Sequence, residues 1–184
     1  MASRGGLVKL ADAVHAKPAT TCPVPYDIAK AAKSAGAAGN AVPATGSDTV
    51  SADTEHTVGA DSPLAQNQGT ILYCNYRIGS EPVEVYTVGT GKKGAALPMM
   101  LPLIQRDAGM RRDDLAPYVK KLQDAQPRTG TLTPSGNVVS VELPTTGSGD
   151  ILVVVTVAGE DGRTSLSAGA VQKLAQELAA QADW

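Results

Sequence analysis

Two cysteines, Cys22 and Cys74, constrain the fold of this chain more than any other feature of its sequence. Cys22 precedes a helix-like segment, Tyr26 to Ala38, and Cys74 lies inside a strand-like segment, Thr70 to Ile78. No other cysteine is present and each one adjoins an ordered element, so the sequence predicts a disulfide between them. Such a bond closes a loop of about 50 residues and contributes about 4 kcal/mol through the unfolded chain. The alternative is a pair of unrelated buried thiols.

A disulfide restricts the compartments in which the protein can work. Cytosolic thiols are kept reduced, so the predicted bond favours an extracytoplasmic location, either secreted or anchored to the outer face of a membrane. No run of about 18 apolar residues occurs, and no transmembrane segment is predicted. Residues 1–6 lead into an amphipathic segment and not into an apolar signal core. We therefore expect either that a signal or lipid-anchor segment was removed, or that the protein is cytosolic.

The length and the charge balance limit the number of domains and the classes of partner that the sequence allows. We predict an N-terminal extension at 1–19 with a short amphipathic helix, followed by a single α+β domain at 20–184. Residues 40–69 contain four acids and no Lys or Arg and have little apolar periodicity, which predicts a flexible acidic loop. The chain carries 16 basic and 18 acidic residues, so it lacks the basic excess that a nucleic-acid partner requires.

Two apolar hairpins and a closing helix define the fold class. Leu72, Cys74 and Tyr76 alternate at period two, and Val83 to Val88 is typical of the returning strand. In the second hairpin, Val138 to Val157, residues 151–157 are apolar and mostly β-branched, as in a central strand. Strands that arrive as hairpins predict a mainly antiparallel sheet, with N-terminal and C-terminal helices packed on it and one disulfide linking the layers.

The segment between the two hairpins is predicted to be helical in part. The apolar residues 95–105 are interrupted by Pro98 and Pro102, and we interpret them as a loop that enters a short helix near Pro102. Asp114 can cap the next helix. The closing helix is predicted from the apolar stripe between Val171 and Ala182.

The sequence offers little support for catalysis, a metal or a cofactor. Its two histidines, His15 and His56, lie outside the predicted sheet, and a nucleophile needs a base beside it, so no catalytic residue is predicted. No cluster has metal-ligand spacing. Residues 89–94 are rich in Gly and Lys, but their spacing fails that of a phosphate-binding loop, so no cofactor is predicted.

A basic and methionine-rich segment is the predicted partner surface. Residues 92–128 carry eight basic and four acidic residues, and Arg and Met are enriched at protein interfaces. The alternatives are contact between these helices and the acidic loop, or ordinary solvated helix faces above an inward-packed apolar segment. The predicted partner-binding residues are Met99, Met100, Arg106, Met110, Arg111 and Arg112.

The layout of residues 20–184 resembles a group of small secreted or lipid-anchored actinobacterial domains, many without an assigned function. The resemblance rests on Cys22 before the first helix, on Tyr73-Cys74-Asn75-Tyr76 in the first strand, and on the apolar hairpin and closing helix that follow. The chain departs from that group in its long acidic segment, in Tyr76 where an aromatic such as Trp is usual, and in lacking a lipid-modification cysteine at its start. The resemblance implies binding or sensing at the cell envelope and implies no catalytic residue.

The sequence thus predicts a non-catalytic, extracytoplasmic binding or interaction domain whose partner is a protein or an envelope component. The first alternative is a small-ligand carrier or sensor with an apolar pocket near Leu97–Ile104, and the second is a carboxylate-based hydrolase. A flat exposed patch would favour partner binding, and an apolar cavity would favour a carrier. Carboxylates with a perturbed pKa in a cleft would favour an enzyme. The oligomeric state stays open.

Overall fold

The computed structural model describes residues 2–17, 20–44, 50–157 and 163–182. This part of the chain contains six helices and seven strands. In chain order they are α1 (Arg4–Ala16), α2 (Ile28–Ser34), β1 (Ala41–Pro43), β2 (Val50–Thr54), α3 (Pro63–Gln66), β3 (Thr70–Ile78), β4 (Glu81–Thr90), α4 (Ala96–Asp107), α5 (Arg112–Gln123), β5 (Gly130–Leu132), β6 (Val138–Leu143), β7 (Asp150–Val157) and α6 (Ala168–Gln181). The predicted α+β class is confirmed.

All seven strands belong to one antiparallel sheet. The order across it is β1–β3–β4–β7–β6–β5, and β2 also pairs with β3, so β1 and β2 share the outer edge of β3. The hairpin β3–β4 turns at residues 79–80, where Gly79 has a φ of 61° and thereby supplies the positive φ that a two-residue hairpin turn needs. Ile78 consequently pairs with Glu81, and this register determines which side chains meet further along the hairpin.

Helices cover both faces of the sheet and form two cores. On the first face, α1, α2 and α6 pack on the odd-numbered valines of β6 and β7 and on Leu72, Cys74 and Tyr76 of β3. On the second face, α4 and α5 pack on Val88, Leu152 and neighbouring apolar residues. The strand β7 lies between β4 and β6 and is buried on both faces, as its continuous apolar sequence predicts.

The disulfide between Cys22 and Cys74 is confirmed, with the two Cα atoms 5.4 Å apart. It joins the segment before α2 to the middle of β3. The predicted N-terminal extension at 1–19 contains α1, and Leu7 and Ala11 of this helix are fully buried in the first core. An amphipathic helix needs an apolar surface to cover, and here that surface is the sheet itself.

Residues 40–69, predicted as a flexible acidic loop, contain regular secondary structure where the structure describes them. This segment includes β1, β2 and the short helix α3, while residues 45–49 lie outside the described part. Pairing with the edge of β3 satisfies backbone N–H and C=O groups and requires no apolar side-chain pattern, so composition did not reveal these strands. Glu55 of this segment forms an ion pair with Arg4 of α1 (3.1 Å), and not with a base of residues 92–128.

Both central helices begin earlier than the sequence predicts. The helix α4 starts at Ala96, although Ala95 offers no side-chain cap, because the Asp150 carboxylate of β7 accepts hydrogen bonds from the N–H groups of Gly94 (2.9 Å) and Ala96 (3.3 Å). The N-cap of α5 is Arg111, and Asp114 is its third helical residue, where the carboxylate accepts a hydrogen bond from the Arg111 N–H (3.2 Å). A cap from a distant strand cannot be found from local sequence.

Candidate functional site

The second face of the sheet is covered less completely over β3 than over β4 and β7. Among the described residues, α4 packs mainly on β4 and β7 and α5 packs mainly on β5, while β3 contributes only the half-buried Ile71 to the second core. The side chains of residues 73–77 and 84–86 that point to this face are half-buried or exposed, whereas Val88, further along β4, is buried in the second core. We call this surface the tyrosine–glutamate face; it consists of Tyr73, Asn75, Arg77, Glu84 and Tyr86.

The centre of the tyrosine–glutamate face is a cross-strand pair of tyrosines that share one carboxylate. The register of the hairpin places Tyr73 opposite Tyr86, and their rings stack with centroids 4.6 Å apart and an angle of 25° between the planes. The Tyr73 hydroxyl donates to Oε1 of Glu84 (2.9 Å), and the Tyr86 hydroxyl donates to Oε2 (3.0 Å). Both rings and the carboxylate are therefore held in one arrangement before any ligand arrives.

The same contacts keep both phenols protonated. Burial, the hydrogen bond to Glu84 and the charge of Glu84 raise the pKa of Tyr73 to about 12. Burial and the charge of Glu84 likewise raise the pKa of Tyr86. A tyrosine with the ordinary pKa of about 10 is already a hydrogen-bond donor at neutral pH, and the raised pKa values extend this role into alkaline solution. Glu84, which can accept about four hydrogen bonds, keeps acceptor capacity for a partner.

The C-terminal end of α4 forms one border of this face. Arg106 Nε donates to Oδ1 of Asp107 (2.7 Å), and this carboxylate raises the pKa of the Arg106 guanidinium, with smaller effects from Tyr86 and Glu84. Asp107 also anchors the helix to the sheet, because its carbonyl accepts a hydrogen bond from Asn137 Nδ2 (2.9 Å). Arg106 is consequently an exposed cation next to the tyrosine pair.

The other border is the outer edge of the sheet. Val42 of β1 pairs with Arg77, which places its side chain on the same face, and it is 39% exposed. No other large apolar side chain in the described part of the chain is classed as exposed. The face therefore combines an apolar edge, two aromatic rings, an acceptor and two arginines, a mixture typical of protein contact surfaces.

The structure separates the residues that the sequence predicted as partner-binding. Met100 (3% exposed) and Met110 (7% exposed) belong to the second core, which corrects their predicted place on an accessible surface, and Met99 is half-buried against the same core. Arg106, Arg111 and Arg112 are exposed. Only Arg106 borders the tyrosine–glutamate face, while Arg111 and Arg112 lie at the start of α5. A partner contact through these arginines stays a prediction.

Sequence reasoning missed Tyr73, Glu84 and Tyr86 as members of one site. The signal was present in part, because Tyr73 and Asn75 occupy the alternate positions to the apolar face of the same strand. A two-residue turn at 79–80 would have placed Tyr73 opposite Tyr86. The sequence does not show, however, that α4 packs mainly on β4 and β7 and leaves Tyr73 half-buried.

The two histidines lie outside the strands, and in the described part of the chain they belong to no cluster that could hold a metal ion. His15 is exposed in the last turn of α1, and His56 is exposed 3.8 Å from Oε1 of Glu55. No group of three or more His, Cys, Asp or Glu residues among residues 2–17, 20–44, 50–157 and 163–182 could hold a metal ion. Over the same residues, every helix is too short or too polar to cross a bilayer.

Three of the cavities that described residues line are small. One of about 150 Å³ lies between α4 and α5, and one of about 270 Å³ lies between α5 and the β5–β6 connection. A polar one of about 290 Å³ lies between the start of α1 and the β6–β7 connection. All three are smaller than the roughly 300–1,000 Å³ that is typical of sites for drug-sized ligands.

Comparison of the chain with protein-family models, curated proteins and solved structures finds no match.

Proposed function

We propose that this chain is a non-catalytic interaction domain that works outside the cytoplasm and binds a protein or an envelope component through the tyrosine–glutamate face. The observation that carries the proposal is the stacked pair Tyr73–Tyr86 around the Glu84 carboxylate, beside the part of β3 that contributes only Ile71 to the second core among the described residues. Tyrosine combines a large contact area with a polar tip and loses little side-chain entropy, so rigid tyrosines suit a contact surface.

The arrangement favours a flat contact over a deep pocket. The face lies on two adjacent strands of a sheet, and its two rings are stacked on each other, with Tyr86 also packed against the second core. A partner that covers this area would bury the rings while Glu84 and the arginines Arg77 and Arg106 form hydrogen bonds at the border. This division into an aromatic centre and a polar rim is the usual anatomy of protein interfaces.

The proposed compartment rests on the disulfide. Cys74 is 1% exposed and its bond to Cys22 lies in the first core, so the bond is part of the packed structure. Structural disulfides form and persist in oxidising compartments and are rare in the cytosol. The non-catalytic part of the proposal rests on the histidines, neither of which hydrogen-bonds to a Ser or Thr hydroxyl among the described residues.

Site-specific photo-crosslinking tests the proposal. A benzophenone amino acid replaces Tyr73 in one protein and Lys173, which is exposed on α6 beyond the opposite face, in a control protein. Both proteins are exposed to envelope material from the source cells. We expect a discrete crosslinked partner from position 73 only, and loss of its binding in the double variant Tyr73→Ser/Tyr86→Ser with an unchanged fold.

A second variant tests whether the partner binds the basic segment of residues 92–128 and not the tyrosine–glutamate face. The triple change of Arg106, Arg111 and Arg112 to Ser removes the basic segment and leaves the tyrosine pair in place. Binding that survives the tyrosine changes but is lost in the arginine triple variant would transfer the contact to α4 and α5. Equal crosslinking from positions 73 and 173 would contradict a specific contact altogether.

A further inference from the structure

The cavity between α4 and α5 has an apolar lining with one ionisable side chain in it. We call it the α4–α5 slot. Its volume is about 150 Å³, which matches the size of a cavity that holds a benzene molecule. The lining residues are Gly94, Leu97, Pro98, Leu101, Val119, Gln123 and Glu142.

The position of Glu142 on β6 carries a desolvation cost for its carboxylate. The side chain is half-buried, and among the described residues no hydrogen bond or ion pair engages its carboxylate. Burial raises the pKa of Glu142, the charge of Asp150 acts in the same direction, and the exposed Lys93 opposes both. A leucine at 142 would extend the second core without this desolvation cost. A carboxylate in an apolar slot that forms no ion pair within the chain is a candidate ligand-binding group.

The surroundings of the slot favour a cation over an anion. Gln123, the last residue of α5, lines the slot, so the negative end of that helix dipole lies beside it. The start of α4 would attract an anion, but the Asp150 carboxylate already occupies it through the N–H groups of Gly94 (2.9 Å) and Ala96 (3.3 Å). The Pro98 carbonyl oxygen lacks the usual hydrogen bond within the helix, because residue 102 is a proline and has no N–H to donate.

We propose that the α4–α5 slot binds a small organic ammonium ion, with the ammonium hydrogen-bonded to Glu142 and a short apolar group between Leu97, Leu101 and Val119. The volume limits the ligand to about the size of benzylammonium. The site is separate from the tyrosine–glutamate face, so it stands or falls independently of the proposed partner contact. It would make the domain a receptor for a primary amine as well as a protein-binding module.

Titration of the isotope-labelled protein with benzylammonium chloride, followed by amide chemical shifts, tests this proposal. We expect saturable shifts at residues of α4, α5 and β6 around the slot. Benzyl alcohol, which has the same shape and no charge, should bind at least about tenfold more weakly, the factor that a charge-assisted hydrogen bond contributes. This comparison uses the unaltered protein and therefore does not depend on any variant folding.

A charge variant and its matched control complete the experiment. Glu142→Gln should weaken benzylammonium binding about tenfold or more, and Asp124→Asn should change it less than about twofold. Asp124→Asn is the matched control because it also removes one carboxylate, at the C-terminal end of α5. Asp124 is exposed and does not line the slot. The proposal is wrong if the shifts do not saturate, if the alcohol binds as tightly as the ammonium, or if Glu142→Gln binds like the unaltered protein.

Discussion

Removal of the disulfide should cost this protein a large part of its stability. Cys22 and Cys74 are 52 residues apart, and for that loop length the chain-entropy model predicts about 4 kcal/mol of stabilisation at 25 °C. A domain of this kind is typically stable by about 5–15 kcal/mol, so the reduced protein should remain folded but marginally so. The bond acts mainly by restricting the unfolded chain, which is why its effect is large although it joins only two side chains.

Urea unfolding followed by far-UV circular dichroism measures the effect in three samples: the oxidised protein, the protein kept reduced, and the double variant Cys22→Ala/Cys74→Ala. Reduction leaves both sulfur atoms in place, so the reduced protein reports the loss of the cross-link alone. The double variant should be less stable still, because Cys74 is 1% exposed and its sulfur packs in the first core. The slope of the unfolding free energy against urea should rise on reduction, since the unfolded chain becomes more expanded.

The difference in stability between the oxidised and reduced proteins decides whether this prediction holds. If the oxidised and reduced proteins differ by less than about 1 kcal/mol while mass spectrometry confirms the change in oxidation state, the chain-entropy estimate does not apply here. An unchanged urea slope together with a large loss of stability would place the effect in the folded state. The bond would then act by holding the segment before α2 against β3, and not through the unfolded chain.

Two further predictions concern the two cores. Leu174→Ala should lower the free energy of unfolding by about 2–5 kcal/mol, because Leu174 is fully buried on the inner side of α6. Lys173→Ala should change it by no more than about 0.5 kcal/mol. Similar urea midpoints for the two variants would contradict the burial of this helix. Tyr118→Phe should cost about 1–3 kcal/mol, since the buried Tyr118 hydroxyl donates to Ser140 Oγ (2.7 Å). Burial raises the pKa of Tyr118 from 10.0 to about 12, so its contribution is complete below about pH 10 and is lost as the pH rises towards 12. Stability curves measured from pH 9 to 12 should therefore fall less steeply for Tyr118→Phe than for the unaltered protein, and parallel curves would refute the assignment.

The sequence alone was sufficient for the parts of the fold that depend on local pattern. Alternation in residues 72–78 and the β-branched apolar residues 151–157 predicted strands, and the stripe from Val171 to Ala182 predicted the closing helix. The disulfide followed from two cysteines that each adjoin an ordered element. These features are readable because side-chain periodicity reports which face of an element is buried, whatever the element packs against.

The tertiary structure alone decided where the remaining segments pack and which surface stays open. Residues 41–43 and 50–54 become strands through backbone pairing with β3, and α4 starts where Asp150 of a distant strand supplies its cap. The Tyr73–Tyr86 pair stays half-buried because α4 packs mainly on β4 and β7, and Glu142 faces a slot because residues of α4 and α5 line it together. Each of these depends on contacts between residues far apart in the chain, and local sequence carries no record of such contacts.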